Sequence, residues 1–235
     1  ANSVSAYLND IRKLNEFATA KKRRPETLTL NDLQKFLRSL SELGLHVRSQ
    51  ARLLSAVKAF FKYLILENSV ATDPSALLEG PRLGKKIPSV LNVQEMEKLL
   101  AAIDLSKPEG LRNRAMLETL YGCGLRVSEL VGLKISDLFL DVGFIKIKGK
   151  GSKERLVPIG SHAVKHINIY RKGVRRHQRV KKEAEDILFL NRRGGKLSRV
   201  MVFNIIKALA KAIGLKKIIS PHTFRHSFAT HLIDG

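Results

Sequence analysis

Apolar residues recur every three or four positions along most of this chain, the spacing of helices that bury one face. Val4, Tyr7, Leu8, Ile11, Leu14 and Phe17 predict a first helix over 4–18. The stretch KKRRPETLT breaks the pattern, and Thr29 opens TLND, a capping-box-like start with Asp32 in its fourth place. Leu33, Phe36, Leu37, Leu40 and Leu43 then share one face, and Gly44 ends that helix. A third helix is expected over about 49–67, with Leu53, Leu54, Val57, Phe60, Phe61, Leu64 and Ile65 inward. Tyr7 and Tyr63 fall in these two patterns and are expected in the core. A turn at 74–78 closes the segment, so residues 1–79 read as a small helical bundle.

The run GPRLGKKIPSVL (80–91) has two Gly, two Pro, three basic residues and little periodicity. It reads as an interdomain linker, basic enough to lie along a phosphate backbone but equally an ordinary connection. Periodicity resumes at Asn92 with NVQE, a second capping-box-like start. Helices are expected at about 92–103 and 110–121, a GCGLR break follows, and VSELVGL adds a short helical turn. Two β-like runs, 143–149 and 153–159, flank Lys150, Gly151 and Ser152 and predict a hairpin. A helix over 161–180, a strand at DILFL, a helix over 198–213 and another from Pro221 complete the pattern. The fold class is therefore mainly α. An N-terminal bundle (1–79) is joined by the linker (80–91) to an α-rich domain (92–235) with a small antiparallel sheet.

Charge changes this picture more than any other global property. Lys and Arg number 43 against 21 Asp and Glu, a net charge of +22. Such an excess points to a polyanionic partner, most often nucleic acid, with a merely basic surface as the plain alternative. Residues 1–80 hold 12 basic and 8 acidic side chains, net +4, whereas 81–235 hold 31 and 13, net +18. The second segment is thus the stronger electrostatic partner. A single cysteine, Cys123, permits no internal disulfide, and no apolar run suits a membrane span or a secretion signal. A cytoplasmic protein with no membrane partner is expected.

Several positions have chemical interest. His222 and Arg225 lie three apart behind Pro221, so on a helix they share a face near its start, where anions are favoured. A metal site at His222 and His226 is the rival reading. Thr223 stands where a zinc protease needs Glu, however, and Arg225 between the histidines repels a cation. Phosphate suits this set better, because a guanidinium offers a planar, permanently charged fork. His226 and His231 are expected to be scaffolding. Arg126 follows the GCG break, and Lys150 sits at the hairpin tip; singly each signal is weak. The Walker A spacing is absent, so nucleotide hydrolysis is unsupported.

Taken together, GLRVSELVGLKISD (124–137), GKGSKERLVPI (149–159) and SPHTFRHSFATHL (220–232) resemble, in order, the first arginine box, the lysine hairpin and the second box of the tyrosine recombinases. The resemblance is to the XerC/XerD type in particular and extends over the N-terminal helices, which correspond to a SAM-like core-binding domain. It implies DNA cleavage by a tyrosine, leaving a 3′-phosphotyrosyl link and a free 5′-hydroxyl, with no ATP, metal or other cofactor. By the same resemblance Arg126 and Arg225 stabilise the phosphorane-like transition state, His222 binds the phosphate and assists proton transfer, and Lys150 protonates the leaving 5′-oxygen. Glu129 buttresses Arg126 or its neighbours.

The implied partners are double-stranded DNA, gripped by a C-shaped clamp, and a homo- or hetero-tetramer on two DNA sites. In the family the nucleophilic tyrosine follows the second box. None of the four tyrosines here, Tyr7, Tyr63, Tyr121 and Tyr170, does so; Tyr121 is expected to pack near the site. The 235 residues as they stand are expected to bind DNA without cleaving it, to be mainly monomeric off DNA, and to be short of a few residues at the start. Arg48, Arg52, Lys58 and the basic run 171–182 are candidate phosphate contacts or simply solvated cations. Alternatives are a non-catalytic DNA-binding protein on the same fold and, more remotely, a type IB topoisomerase.

Overall fold

The computed structural model describes residues 2–84 and 89–234, with side chains throughout except at Asn2, Ser3 and Lys150. The chain divides into two compact units, Ala1–Lys86 and Ile87–Gly235. Four residues of the expected linker, 85–88, lie outside the described residues. The linker's last residue, Leu91, is fully buried in the core of the second unit.

In the first unit α1 (Asn2–Ala20) and α2 (Leu30–Glu42) pack on α3 (Val47–Leu66). The core is made by Leu14, Ala18, Leu33, Phe36, Leu53, Val57, Phe61 and Leu64. α2 begins as its sequence dictates. Thr29 Oγ1 accepts the Asp32 N–H at 3.3 Å, and the Asp32 carboxylate accepts the Thr29 N–H at 3.1 Å. Lys21 and Arg23 also converge on Asp32, at 2.9 and 2.8 Å. These bonds, led by those from Lys21 and Thr29, hold the carboxyl far below the usual carboxylate range.

Asp10 is the opposite case. It is 1% exposed, accepts one hydrogen bond from Arg52 at 3.1 Å, and leaves Oδ2 buried without a partner. Burial raises its pKa against the lowering pull of Arg52 and Lys13.

Two expectations fail in this unit. Val4, Tyr7 and Leu8 are exposed, because the first turns of α1 carry the apolar pattern beyond the part of the helix that is covered. Tyr63 is 56% exposed: it lies two residues from buried Phe61, and 200° around a helix is the opposite face. Ile65 is likewise exposed.

The second unit is built around α5 (Pro108–Gly122), which packs against α4 (Val93–Ala101), α6 (Val127–Val131), α7 (Ser161–Gly173) and α9 (Pro221–Asp234). α8 (Arg199–Ala212) contacts α6 and α9. α5 has little amphipathic contrast because Ala115, Met116, Leu117, Thr119 and Leu120 are buried on nearly all its sides. An antiparallel sheet of order β1-β2-β3 comprises β1 (Leu138–Phe139), β2 (Phe144–Lys148) and β3 (Glu154–Pro158). Ile145 and Ile147 of β2 point into the core, facing Val157 and Arg155 of β3.

Two elements differ from expectation. The helix from Ser161 ends at Gly173. Just beyond it Arg175 turns inward, donating to the carbonyls of Ile187 at 3.1 Å and Glu185 at 2.5 Å. DILFL forms no strand. Leu188, Phe189 and Leu190 are fully buried, but they meet their neighbours through isolated bridges and single bonds such as Leu188 N–H to the Leu133 carbonyl at 2.9 Å. The sheet's third strand comes from 138–139 instead. Among the described residues no helix is long and apolar enough to cross a membrane.

Candidate active site

The first arginine box owes its shape to a helix end. α5 stops at Gly122, and Gly124 takes φ +55°. The Leu125 N–H bonds back to the Leu120 carbonyl at 3.1 Å, and the Gly124 N–H to the Tyr121 carbonyl at 3.0 Å. That is a Schellman closure, which requires a left-handed residue at Gly124. A second constraint acts there: a Cβ on Gly124 would lie 2.4 Å from Phe228 Cδ1 on α9. The bare glycine thus lets the turn and α9 touch.

Arg126 emerges from this turn as the N-cap of α6, its side chain 53% exposed. Glu129, one helical turn on, accepts the Arg126 N–H at 2.9 Å and Arg126 Nη1 at 3.1 Å. Arg155 of β3 adds a two-pronged bond to the same carboxylate, Nη1 to Oε1 and Nη2 to Oε2, both at 3.0 Å. Glu129 is buried, which alone raises its pKa. The bonds from Arg155 and Arg126 outweigh burial and leave it below the ordinary value, so it is a carboxylate at neutral pH.

The second box lies on α9. Arg225, half-buried, donates Nη1 to the carbonyl of Gly124 at 2.6 Å. The two arginines expected to act together are therefore joined through two residues of backbone. His222 sits one turn earlier on α9 and is exposed. α9 is fastened from behind by Ser227, which is buried, accepts the Leu91 N–H at 2.9 Å and donates to the Thr223 carbonyl at 2.9 Å.

His231 pairs with Tyr121, its Nδ1 2.7 Å from the phenol oxygen, as scaffolding residues would. His226 is exposed. Among the described residues no group of three or more His, Cys, Asp or Glu side chains is placed to hold a metal.

Lys150 opens a short 3-10 turn, Lys150–Ser152, at the tip of the β2–β3 hairpin, and the Gly149 N–H closes the hairpin onto the Lys153 carbonyl at 2.8 Å. Of the four residues singled out from sequence, Arg126 and Arg225 are brought together through the Gly124 turn. His222 shares Arg225's helix, and the Lys150 hairpin is tied to the arginine turn by Arg155 and Glu129.

Sequence reasoning missed Arg155. Its signal was present: with Ile145 and Ile147 on the core face, their partners Val157 and Arg155 emerge on that same face, at whose rim an arginine can reach a buried carboxylate. The candidate phosphate contacts differ in how they are engaged. Arg175 is committed to carbonyls and Arg52 to Asp10, while Arg48 is exposed.

The chain is similar to known proteins over its whole length. The sequence profile of the phage integrase family matches residues 89–235, and that of the phage integrase N-terminal SAM-like domain matches residues 1–68. Tyrosine recombinase XerD of Chlorobaculum tepidum is 42% identical, over all of this chain and 78% of that protein. Its counterpart in Listeria monocytogenes is 41% identical, over all of this chain and 80% of that protein. Among solved structures, the XerH site-specific recombinase bound to palindromic difH substrate in a post-cleavage complex superposes with a TM-score of 0.77. It is 27% identical, and the match covers 98% of this chain and 68% of that one.

Proposed function

The chain belongs to the tyrosine recombinases of the phage integrase family, and we propose that it works as a site-specific DNA recombinase whose scissile phosphate is held by Arg126, Arg225 and His222. The observation that carries this reading is the 2.6 Å bond from Arg225 to the Gly124 carbonyl, which sets the second guanidinium beside the turn that presents the first. Two fixed guanidiniums supply what a pentacoordinate phosphorane needs as its negative charge grows: donors already in place, at no cost of reorganisation. His222 adds a hydrogen-bond donor to the phosphate and assists proton transfer.

In this reading a tyrosine hydroxyl from the segment that follows the second box in the family attacks the phosphorus and loses its proton. The bond to the 5′-oxygen breaks, and Lys150 gives that oxygen a proton. The 3′-phosphotyrosyl link conserves the energy of the phosphodiester, so strand exchange needs no nucleotide. The basic second unit binds the duplex chiefly through phosphates, which makes affinity fall steeply with salt. The N-terminal bundle also contacts the DNA, and four protomers assemble on two sites in the cytoplasm.

Protein carrying the tyrosine-bearing segment is incubated with nicked suicide DNA containing its target site. A covalent protein–DNA adduct that survives denaturation and resists metal chelation is expected. No adduct on any target site overturns the recombinase reading in favour of a DNA-binding role alone.

A further inference from the structure

The recombinase chemistry above asks that a lysine on a hairpin and an arginine on a helix-capping turn meet one phosphate. A two-stranded hairpin tip is a poor platform for that by itself, since its position depends on what it is tied to. Here the strands have a specific tie close to the tip. Arg155 leaves β3 on the face shared with Ile147 and spans to Glu129 with two 3.0 Å bonds. Glu129 in turn holds both the backbone and the guanidinium of Arg126.

The tie is tight on the hairpin side as well. A Cβ placed on Gly149, the residue before Lys150, would lie 3.2 Å from Arg155 Nη1 and 3.8 Å from Glu129 Oε1. The backbone that launches Lys150 therefore rests directly on the Arg155–Glu129 bridge.

Resting on the recombinase reading, we propose that Arg155 is a positioning residue: its fork on Glu129 sets the Lys150 hairpin against the Arg126 turn, so that the general acid and the phosphate-binding arginine keep one register. Arg126 does not depend on Arg155 for its own two bonds to Glu129, so loss of Arg155 frees the hairpin while leaving the arginine turn in place. The defect should then be one of leaving-group protonation.

That consequence separates positioning from mere stability. A substrate with sulfur in place of the bridging 5′-oxygen expels a thiolate, which needs no proton from the enzyme. In Arg155→Ala, adduct formation on ordinary suicide DNA should slow by about 100-fold, the low end of what a general acid contributes. On the 5′-sulfur DNA it should stay within about threefold of the parent, since the step that Lys150 assists is no longer required.

Arg155→Lys keeps a charge but loses the fork, and should show the same pattern more weakly. Gly149→Ala, which crowds Arg155 Nη1, should do likewise. If Arg155→Ala melts early, these two milder variants carry the comparison.

Equal slowing on both substrates, or no slowing on the oxygen substrate, overturns the proposal. Failure of the parent protein to form an adduct with either substrate is a different result: it overturns the recombinase reading, and this inference with it.

Discussion

Arg225 Nη1 lies 2.6 Å from the carbonyl oxygen of Gly124, a hydrogen bond between residues 101 positions apart. It fixes the guanidinium by one edge and leaves the remaining N–H groups to meet a ligand beside Arg126. Arg225→Lys keeps the charge but cannot hold the carbonyl and a phosphate in the same plane. It is expected to lower the rate of adduct formation by about 10²–10³, as removing one fixed transition-state donor does. DNA affinity in a gel-shift titration should change far less, because most of it comes from other phosphate contacts.

Gly124 itself carries two demands, a left-handed backbone and contact with the Phe228 ring. Gly124→Ala violates both. Strain at the positive φ and overpacking against Phe228 together should cost roughly 2–4 kcal/mol. Chemical denaturation of the second unit measures this, and Gly124→Ala combined with Phe228→Ala should recover the overpacking share but not the backbone share.

These same residues show how far the sequence could be read. Helix starts at Thr29 and Asn92 were legible because a capping box is local chemistry, with side chain and backbone three residues apart. The hairpin around Lys150 was legible from alternation and a glycine turn. What was not legible depends on distant partners. Arg175 reads as one of a run of exposed cations, and only the return of the 184–187 loop makes it structural. Tyr63 was misplaced for a simpler reason: an apolar-looking helix face was drawn too wide, and a residue 200° from Phe61 was counted with it. The two boxes could be matched to a family by pattern, but the bond that joins them, Arg225 to Gly124, belongs to tertiary structure alone.

Asp10 and Asp32, in the same bundle, should respond to pH with opposite sign. The pKa of Asp32 is depressed in the folded state. Its stabilisation is therefore full above the unfolded value of about 3.9 and is lost only as pH falls toward the much lower folded value. Asp10 has a raised folded pKa, so its charge opposes folding at neutral pH, and that penalty is relieved as pH falls through the raised value. Asp32→Asn should destabilise the protein at pH 7 by about 1–3 kcal/mol, because the carboxylate that Lys21, Arg23 and the Thr29 N–H share is lost. Asp10→Asn removes the charge that burial disfavours, so at pH 7 it should leave the protein at least as stable as the parent. Melting curves from pH 7 to pH 4 should show the Asp10→Asn advantage shrinking with acid, while the Asp32→Asn deficit persists until near pH 4.

Cys123 provides a probe of the arginine turn that needs no activity. It is the only cysteine, lies one residue before Gly124, and is 5% exposed. Burial pushes its thiol up to about 12, so at pH 8 almost no thiolate exists in the folded state. Reaction with an aromatic disulfide reagent should therefore be slow, and should proceed only through opening of the α5 end. In Gly124→Ala, where Phe228 is forced away from the turn, labelling should speed up by more than tenfold at a denaturant concentration that leaves the second unit folded. Phe228→Ala, which uncovers the same turn without backbone strain, should also accelerate it. Arg155→Ala should not, because the Glu129 bridge lies on the far side of Arg126 from the thiol in sequence and bears on the hairpin. Labelling that is fast in the parent protein at pH 8 would show that the turn is open without DNA, and would remove the basis for a preformed pair of arginines.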